Sequence, residues 1–212
     1  MKSEGQTADV HHWVNDASCL IDLRKGRLLP KLCRLPFRLI VPLPIRESEL
    51  TSFTPGDWGI LDRGGMKTHN LTPEEIAASL TLRCRFGRLS ANDCFCVVTA
   101  QSYDDSILLT GDSQLRTIAS SEGIRTHGVL RVVEQLWAAK ACSRTLLIEA
   151  LEVWKSDRSV FLSSDLIDRQ LHDIRQPGVQ GSEHEHPGQN IGQSVPDLSN
   201  QVAERISETH SG

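Results

Sequence analysis

Short apolar runs fenced by prolines, glycines and acids alternate along the chain with stretches whose apolar residues recur every three or four positions. His12-Trp13-Val14-Asn15 reads as a short strand ending at Asp16, and 18–23 as a turn entering a helix. Leu39-Ile40-Val41, bounded by Pro36, Pro42 and Pro44, has the continuous hydrophobicity of a buried strand, with a helix expected over 46–50. Residues 53–70, which include the run TPGDWGILDRGG, read as loop with a short strand at 58–61. Thr72-Pro73-Glu74-Glu75 opens a helix through a capping box with proline in its first turn, and places Ile76, Ala77, Leu80 and Cys84 on one face. Ser90-Ala91-Asn92-Asp93 opens the next helix, with Cys96, Val97 and Ala100 among its apolar residues. Ile107-Leu108-Leu109-Thr110 is a buried strand ending at Gly111-Asp112. A helix over 113–120, a short strand over 124–126 and helices over 130–139, 145–154 and 165–174 follow. Strands this short, alternating with helices, predict an α/β fold with a short central parallel sheet flanked by helices.

From Pro177 onward the pattern stops. Residues 177–212 are rich in Gly, Gln, Ser and His and lack the apolar surface that offsets the entropy of ordering. The expected organisation is a flexible N-terminus over 1–11, one domain over 12–176 and a disordered tail over 177–212. The net charge of −4 lies in that tail, since residues 1–176 carry as many basic as acidic residues. A neutral body excludes a sequence-independent cationic coat for nucleic acid, though not a local basic groove. No run of about 18 apolar residues is present, and the polar start MKSEGQTADVHH has no secretory pattern. A cytoplasmic protein without membrane association is expected. The six cysteines contain no C-x-x-C pair, and Cys94-x-Cys96 has no second pair to complete a zinc site. They read as reduced and mostly buried thiols.

The polar residues at the carboxyl ends of the strands carry the chemistry, because open parallel sheets gather function there. Asp16 follows the first strand, Glu47 and Glu49 the second, and Asp112 the strand 107–110, while Asp93 starts a helix whose amino end faces the same edge. Singly, each aspartate also fits a helix cap. Together they would repel one another unless a divalent cation resolved the conflict. Hard oxygen donors suit Mg²⁺ or Mn²⁺, which activate water for in-line attack on phosphorus.

Four stretches resemble, in order and spacing, the motifs of PIN-domain proteins, a fold of metal-dependent ribonucleases that includes the VapC-type toxins. They are Val14-Asn15-Asp16 through Leu23, the segment 42–50 with an acid before Leu50, Leu89-Ser90-Ala91-Asn92-Asp93, and Leu108-Leu109-Thr110-Gly111-Asp112. The resemblance covers roughly residues 12–154. The segment 115–130, with Gly123 and Gly128, resembles a subgroup of nucleic-acid-binding PIN proteins. The resemblance implies a PIN-like three-layer fold and a metal-binding catalytic quartet of Asp16, Glu49, Asp93 and Asp112, with Glu47 as the alternative to Glu49. Ser18 and Thr110 match polar positions beside the site. It further implies cleavage of RNA phosphodiesters, the toxin role in a type II toxin–antitoxin pair, a small antitoxin partner and a homodimer. The chain departs from some relatives in having Ser113, rather than another acid, after Gly111-Asp112.

Basic residues crowd 24–46 (Arg24, Lys25, Arg27, Lys31, Arg34, Arg38, Arg46) and recur at Arg83, Arg85 and Arg88. Arg46 and Arg88, each beside an acidic motif, are the candidate phosphate contacts. Trp58 is the one tryptophan expected in a loop and free for a base or a partner. The eight histidines show no spacing that ties them to the acids. The helices over 130–154 have apolar faces that serve either the core or a dimer. The competing readings are a non-catalytic PIN-like module that binds nucleic acid or protein, and a phosphotransfer domain with Asp16 as nucleophile. The second lacks an acid at Ser18.

Overall fold

A computed structural model describes residues 11–176. The expected flexible N-terminus, apart from His11, and the expected disordered tail lie outside the described residues. His12–Asn15 (β1), Arg38–Pro42 (β2), Lys67–His69 (β3), Ser106–Leu109 (β4) and Arg125–His127 (β5) form an all-parallel sheet in the order β3-β2-β1-β4-β5. In register, Asn15 stands beside Leu109 and Val14 beside Ile40. Helices Ala17–Lys25 (α1) and Leu29–Leu32 (α2) connect β1 to β2. A π-helical turn, Ile45–Glu49, and helix Pro55–Arg63 (α3) lead to β3. Pro73–Arg85 (α4) and Ala91–Gln101 (α5) return to β4, and Ser113–Ser121 (α6) crosses to β5. Helices Val129–Ala138 (α7), Arg144–Ser156 (α8) and Ser164–Arg175 (α9) complete the described residues.

The three central strands, β2, β1 and β4, are largely apolar because helices cover both faces: Trp13, Val14, Ile40, Val41, Leu108 and Leu109 are all buried. The apolar faces of α7 and α8 belong to this same core, with Val132, Leu136, Leu147, Leu151 and Trp154 sealed inside. Trp154 also donates its indole N–H to the Asp22 carbonyl at 2.8 Å, tying α8 to α1. No helix among the described residues is long and apolar enough to cross a membrane. The cysteines are free, with Cys19, Cys94, Cys96 and Cys142 buried and Cys84 exposed.

Three sequence expectations are corrected. Residues 55–63 are helix, not loop with a strand at 58–61, and the following strand is at 67–69. The signal was present, since Thr54 and Asp57 form a capping box with Pro55 in the first turn. Trp58 accordingly sits on α3, packed against the core beneath the Arg46 guanidinium 4.2 Å from its ring centroid. On α4 the inward side is not the predicted stripe. Ser79 and Leu82 are buried, whereas Ile76 and Leu80 are exposed. Finally, histidines do pair with acids, though not with those of the candidate site: His11 contacts Asp105, and His69, at the end of β3, bonds Glu75 at 2.9 Å and the Tyr103 hydroxyl at 2.9 Å.

The junction of α3 and β3 requires a residue without a side chain. A Cβ on Gly64 would stand 2.5 Å from Cys33 Cβ and 3.0 Å from the Ile60 carbonyl oxygen, whereas Gly87 faces open space. Gly64→Ala is expected to destabilise the domain by about 1–3 kcal/mol, the usual magnitude of overpacking. Gly87→Ala should leave thermal unfolding nearly unchanged, and melting of the two variants side by side checks this.

Candidate active site

All strands run the same way, so their carboxyl ends share one edge. The strand order reverses direction between β1 and β4, which opens a crevice at that edge. Asp16 sits there. Its Oδ1 accepts the Ala17 amide at 2.7 Å, which caps α1, and its Oδ2 accepts the Ser18 hydroxyl at 2.7 Å and the Thr110 hydroxyl at 2.9 Å. Ser18 in turn accepts the Gly111 amide at 2.8 Å. The ends of β1 and β4 are thus knotted through one carboxylate and two hydroxyls.

Asp93 enters from α5. It completes a capping box with Ser90, accepting the Ser90 amide at 2.7 Å. Glu49 enters from the π-helical turn after β2, with one oxygen accepting the Asn92 amide group at 2.7 Å. Glu47, by contrast, is exposed. Asp112 caps α6, accepting the Gln114 and Leu115 amides at 2.7 and 2.8 Å, and its own amide donates to Thr110 Oγ1 at 3.1 Å.

Electrostatics marks Asp16, Glu49 and Asp93 as one group. Burial, above all, pushes the Asp16 carboxyl above its usual range; the Ser18, Thr110 and Ala17 hydrogen bonds oppose this, and the Asp93 charge adds to it. Burial likewise raises Glu49, opposed by Asn92 and reinforced by Asp16 and Asp93. The Asp112 backbone, through its amide, shares the Thr110 hydroxyl with Asp16. Beneath the acids lie the Cys19 and Cys96 thiols, driven far up by burial and by the carboxylates above them. They are inert filler rather than nucleophiles.

Among the described residues, no three His, Cys, Asp or Glu side chains stand close enough together to hold a metal ion as they are placed. The donor set nevertheless suits a hard cation that keeps much of its water. One oxygen each of Glu49, Asp93 and Asp112 carries no hydrogen bond from the described residues, and like charge gathers on buried Asp16 and half-buried Glu49 and Asp93.

The candidate basic contacts fare differently. Arg46 is committed to both oxygens of Asp62, at 2.7 and 2.8 Å, and to the Thr68 hydroxyl. Arg24 pairs with Asp57, Lys25 with Asp157 and Arg85 with Glu122. Arg88 is exposed on the turn that precedes Ser90. Sequence reasoning missed Asn92, which orients Glu49, and Arg116, which donates to the Thr110 carbonyl at 2.9 Å while remaining exposed. Asn92 was detectable as the neighbour of Asp93. Arg116 was detectable only from its place one turn into the helix that Asp112 caps.

Asp22, on α1 one turn beyond Ser18, was also missed. It is 8% exposed, and burial pushes its carboxyl up to about 6, against a weaker pull from Lys25. The folded state therefore keeps a proton that the unfolded chain, near 3.8, has already lost. Stability should fall as pH rises from about 4 to about 6 and stay reduced above that. Asp22→Asn is expected to raise stability by roughly 1–3 kcal/mol at pH 7.5 and by little at pH 4. Urea unfolding of both proteins at the two pH values checks the difference.

A family model described as a PIN domain matches residues 12–176. No curated protein matches the chain.

Proposed function

The chain belongs to the PIN-domain family, a nuclease-type fold, and on that premise we propose that it is a metal-dependent endoribonuclease whose catalytic group is Asp16, Glu49, Asp93 and Asp112. The observation that carries this reading is the electrostatic coupling of Asp16, Glu49 and Asp93 at the strand-order reversal. A fold under selection for stability alone has no use for three mutually repelling carboxylates on one rim. Mg²⁺ or Mn²⁺ would be held by these acids; when bound, it lowers the pKa of coordinated water and neutralises charge on a phosphodiester.

The chain's own residues have separable tasks. Ser18 and Thr110 aim Asp16 by donating to Oδ2 and oppose the upward push of burial on its carboxyl. Asn92 fixes one oxygen of Glu49 and leaves the other open. Arg88 and Arg116, exposed beside the acidic motifs, supply cations for the RNA backbone. The ion pairing of Arg46 with Asp62 gives it instead the task of bracing the turn that bears Glu49. Within this reading the protein acts as the toxin of a toxin–antitoxin pair. The exposed Ile76 and Leu80 of α4 offer an apolar stripe for an antitoxin or for a second copy of the chain.

Asp16→Asn and Asp93→Asn should each lower Mg²⁺- or Mn²⁺-dependent cleavage of a labelled structured RNA by at least about 100-fold, in line with loss of a principal electrostatic contributor. Full cleavage by both variants overturns the proposal. RNA binding without cleavage over a range of metals favours a non-catalytic binding module. A second readout is independent of turnover. Millimolar Mn²⁺ should raise the melting temperature of the wild type by linkage, with a smaller rise for Asp93→Asn.

A further inference from the structure

An open pocket of about 430 Å³ adjoins the acid rim, within the ~300–1,000 Å³ range of small-ligand sites. Ile21 and Asp22 of α1, Gly111 and Asp112 after β4, and Ser159 and Phe161 of the α8–α9 loop line it. Three features separate it from an incidental groove. It is continuous with the candidate active site, because Asp112 belongs to both and Ser18, which holds Asp16, forms part of its wall. Its outer wall is tethered: Lys25 bonds Ser159 Oγ at 2.6 Å and Asp157 at 3.0 Å, and Asp157 accepts the Ser159 amide at 2.8 Å. Its polar and apolar groups are both left unsatisfied. Phe161 is 89% exposed, while Asp22 is 8% exposed and its carboxyl accepts no hydrogen bond from the described residues. The Asp22 carboxyl oxygens are not among the sealed, unpartnered polar atoms of the described residues, and Asp22 lines the pocket with acceptors free for a ligand.

Resting on the nuclease reading above, we propose that this pocket is a nucleobase subsite. It takes one unstacked base of a single strand whose backbone lies at the acid rim, with Phe161 as the stacking face and Asp22 as the acceptor for base N–H groups. A base presents a flat apolar face to an aromatic ring and polar edges to acceptors, the combination the pocket offers. Guanine suits Asp22 best. Its Watson–Crick edge places two donors, N1–H and N2–H, side by side, which matches the two oxygens of a carboxylate. Uracil offers one imino donor flanked by two carbonyl oxygens that the carboxylate repels. The subsite therefore selects a guanosine next to the cleaved bond.

Binding in EDTA tests the subsite apart from catalysis. The probes are fluorescent single-stranded octamers of uridylate, one with a single central guanosine, one with inosine there (which lacks the 2-amino group), and one with uridine throughout. The wild-type full chain should bind the guanosine probe about tenfold more tightly than the all-uridine probe, with inosine between them. Phe161→Ala should weaken binding of the guanosine probe about tenfold without changing the melting temperature, since the ring is exposed. Asp22→Asn should erase most of the difference between guanosine and inosine. Equal affinity of the wild type for the three probes, or equal losses on all three in both variants, overturns the subsite. If Asp93→Asn at the same time abolishes metal-dependent cleavage, the nuclease reading stands without it. A wild type that neither binds nor cleaves any RNA overturns both.

Discussion

Asp16 accepts hydrogen bonds from groups 1, 2 and 94 residues away in sequence: the Ala17 amide, the Ser18 hydroxyl and the Thr110 hydroxyl. Its own amide donates to the Leu109 carbonyl at 3.0 Å. These contacts start α1, close the upper end of the β1–β4 pair and set the angle at which the chain leaves β4 for α6. Charge-assisted bonds of this kind contribute more than neutral ones, and they offset part of the cost of placing the charge of Asp16 at a 6% exposed position beside Asp93. Loss of any donor would leave that charge undercompensated and loosen two strand ends at once.

Capping and chemistry are not rival explanations for the aspartates. Asp16, Asp93 and Asp112 each occupy the first turn or cap of a helix, α1, α5 and α6 respectively. A parallel sheet sends every crossover helix away from the same edge, so these amino ends point where the strands stop. The partial positive charge and free amides at each helix start make the rim tolerant of anions. The topology thus both gathers the acids and supplies part of the compensation for gathering them.

Much of this was legible in the amino-acid pattern. The apolar runs at 39–41 and 107–110, the capping box at Thr72 and the helix start at Ser90 with Asp93 in its first turn identified strands and helix starts with little ambiguity, because burial and capping are local demands. The family resemblance favoured Glu49 and kept Glu47 as the alternative; in the structure Glu49 accepts from Asn92, the neighbour of Asp93, while Glu47 is exposed. What escaped was decided elsewhere. The segment 55–63 contains Gly56 and Gly59, which obscure helical periodicity, and β3 is Lys67-Thr68-His69, an edge strand with no apolar run. The stripe of Ile76 and Leu80 obeyed helical spacing but faces outward, since packing against α5 uses the other side. Arg46 was picked out as a phosphate contact from its place beside an acidic motif, and its ion pair with Asp62, sixteen residues on, could not be read there. The unpartnered state of Asp22 depends on α8 and the β4–α6 turn and leaves no trace in local sequence.

The central strand β1 pairs with β2 soon after it in the chain but with β4 only after nearly a hundred more residues. Long-range parallel pairing of this kind closes late, after its loop entropy has been met. During synthesis, Asp16 leaves the ribosome long before Thr110, Asp112 or Asp93 can join it. A growing chain therefore carries no assembled acid rim until at least the first 112 residues have emerged, so the acids meet only as the sheet closes around β1.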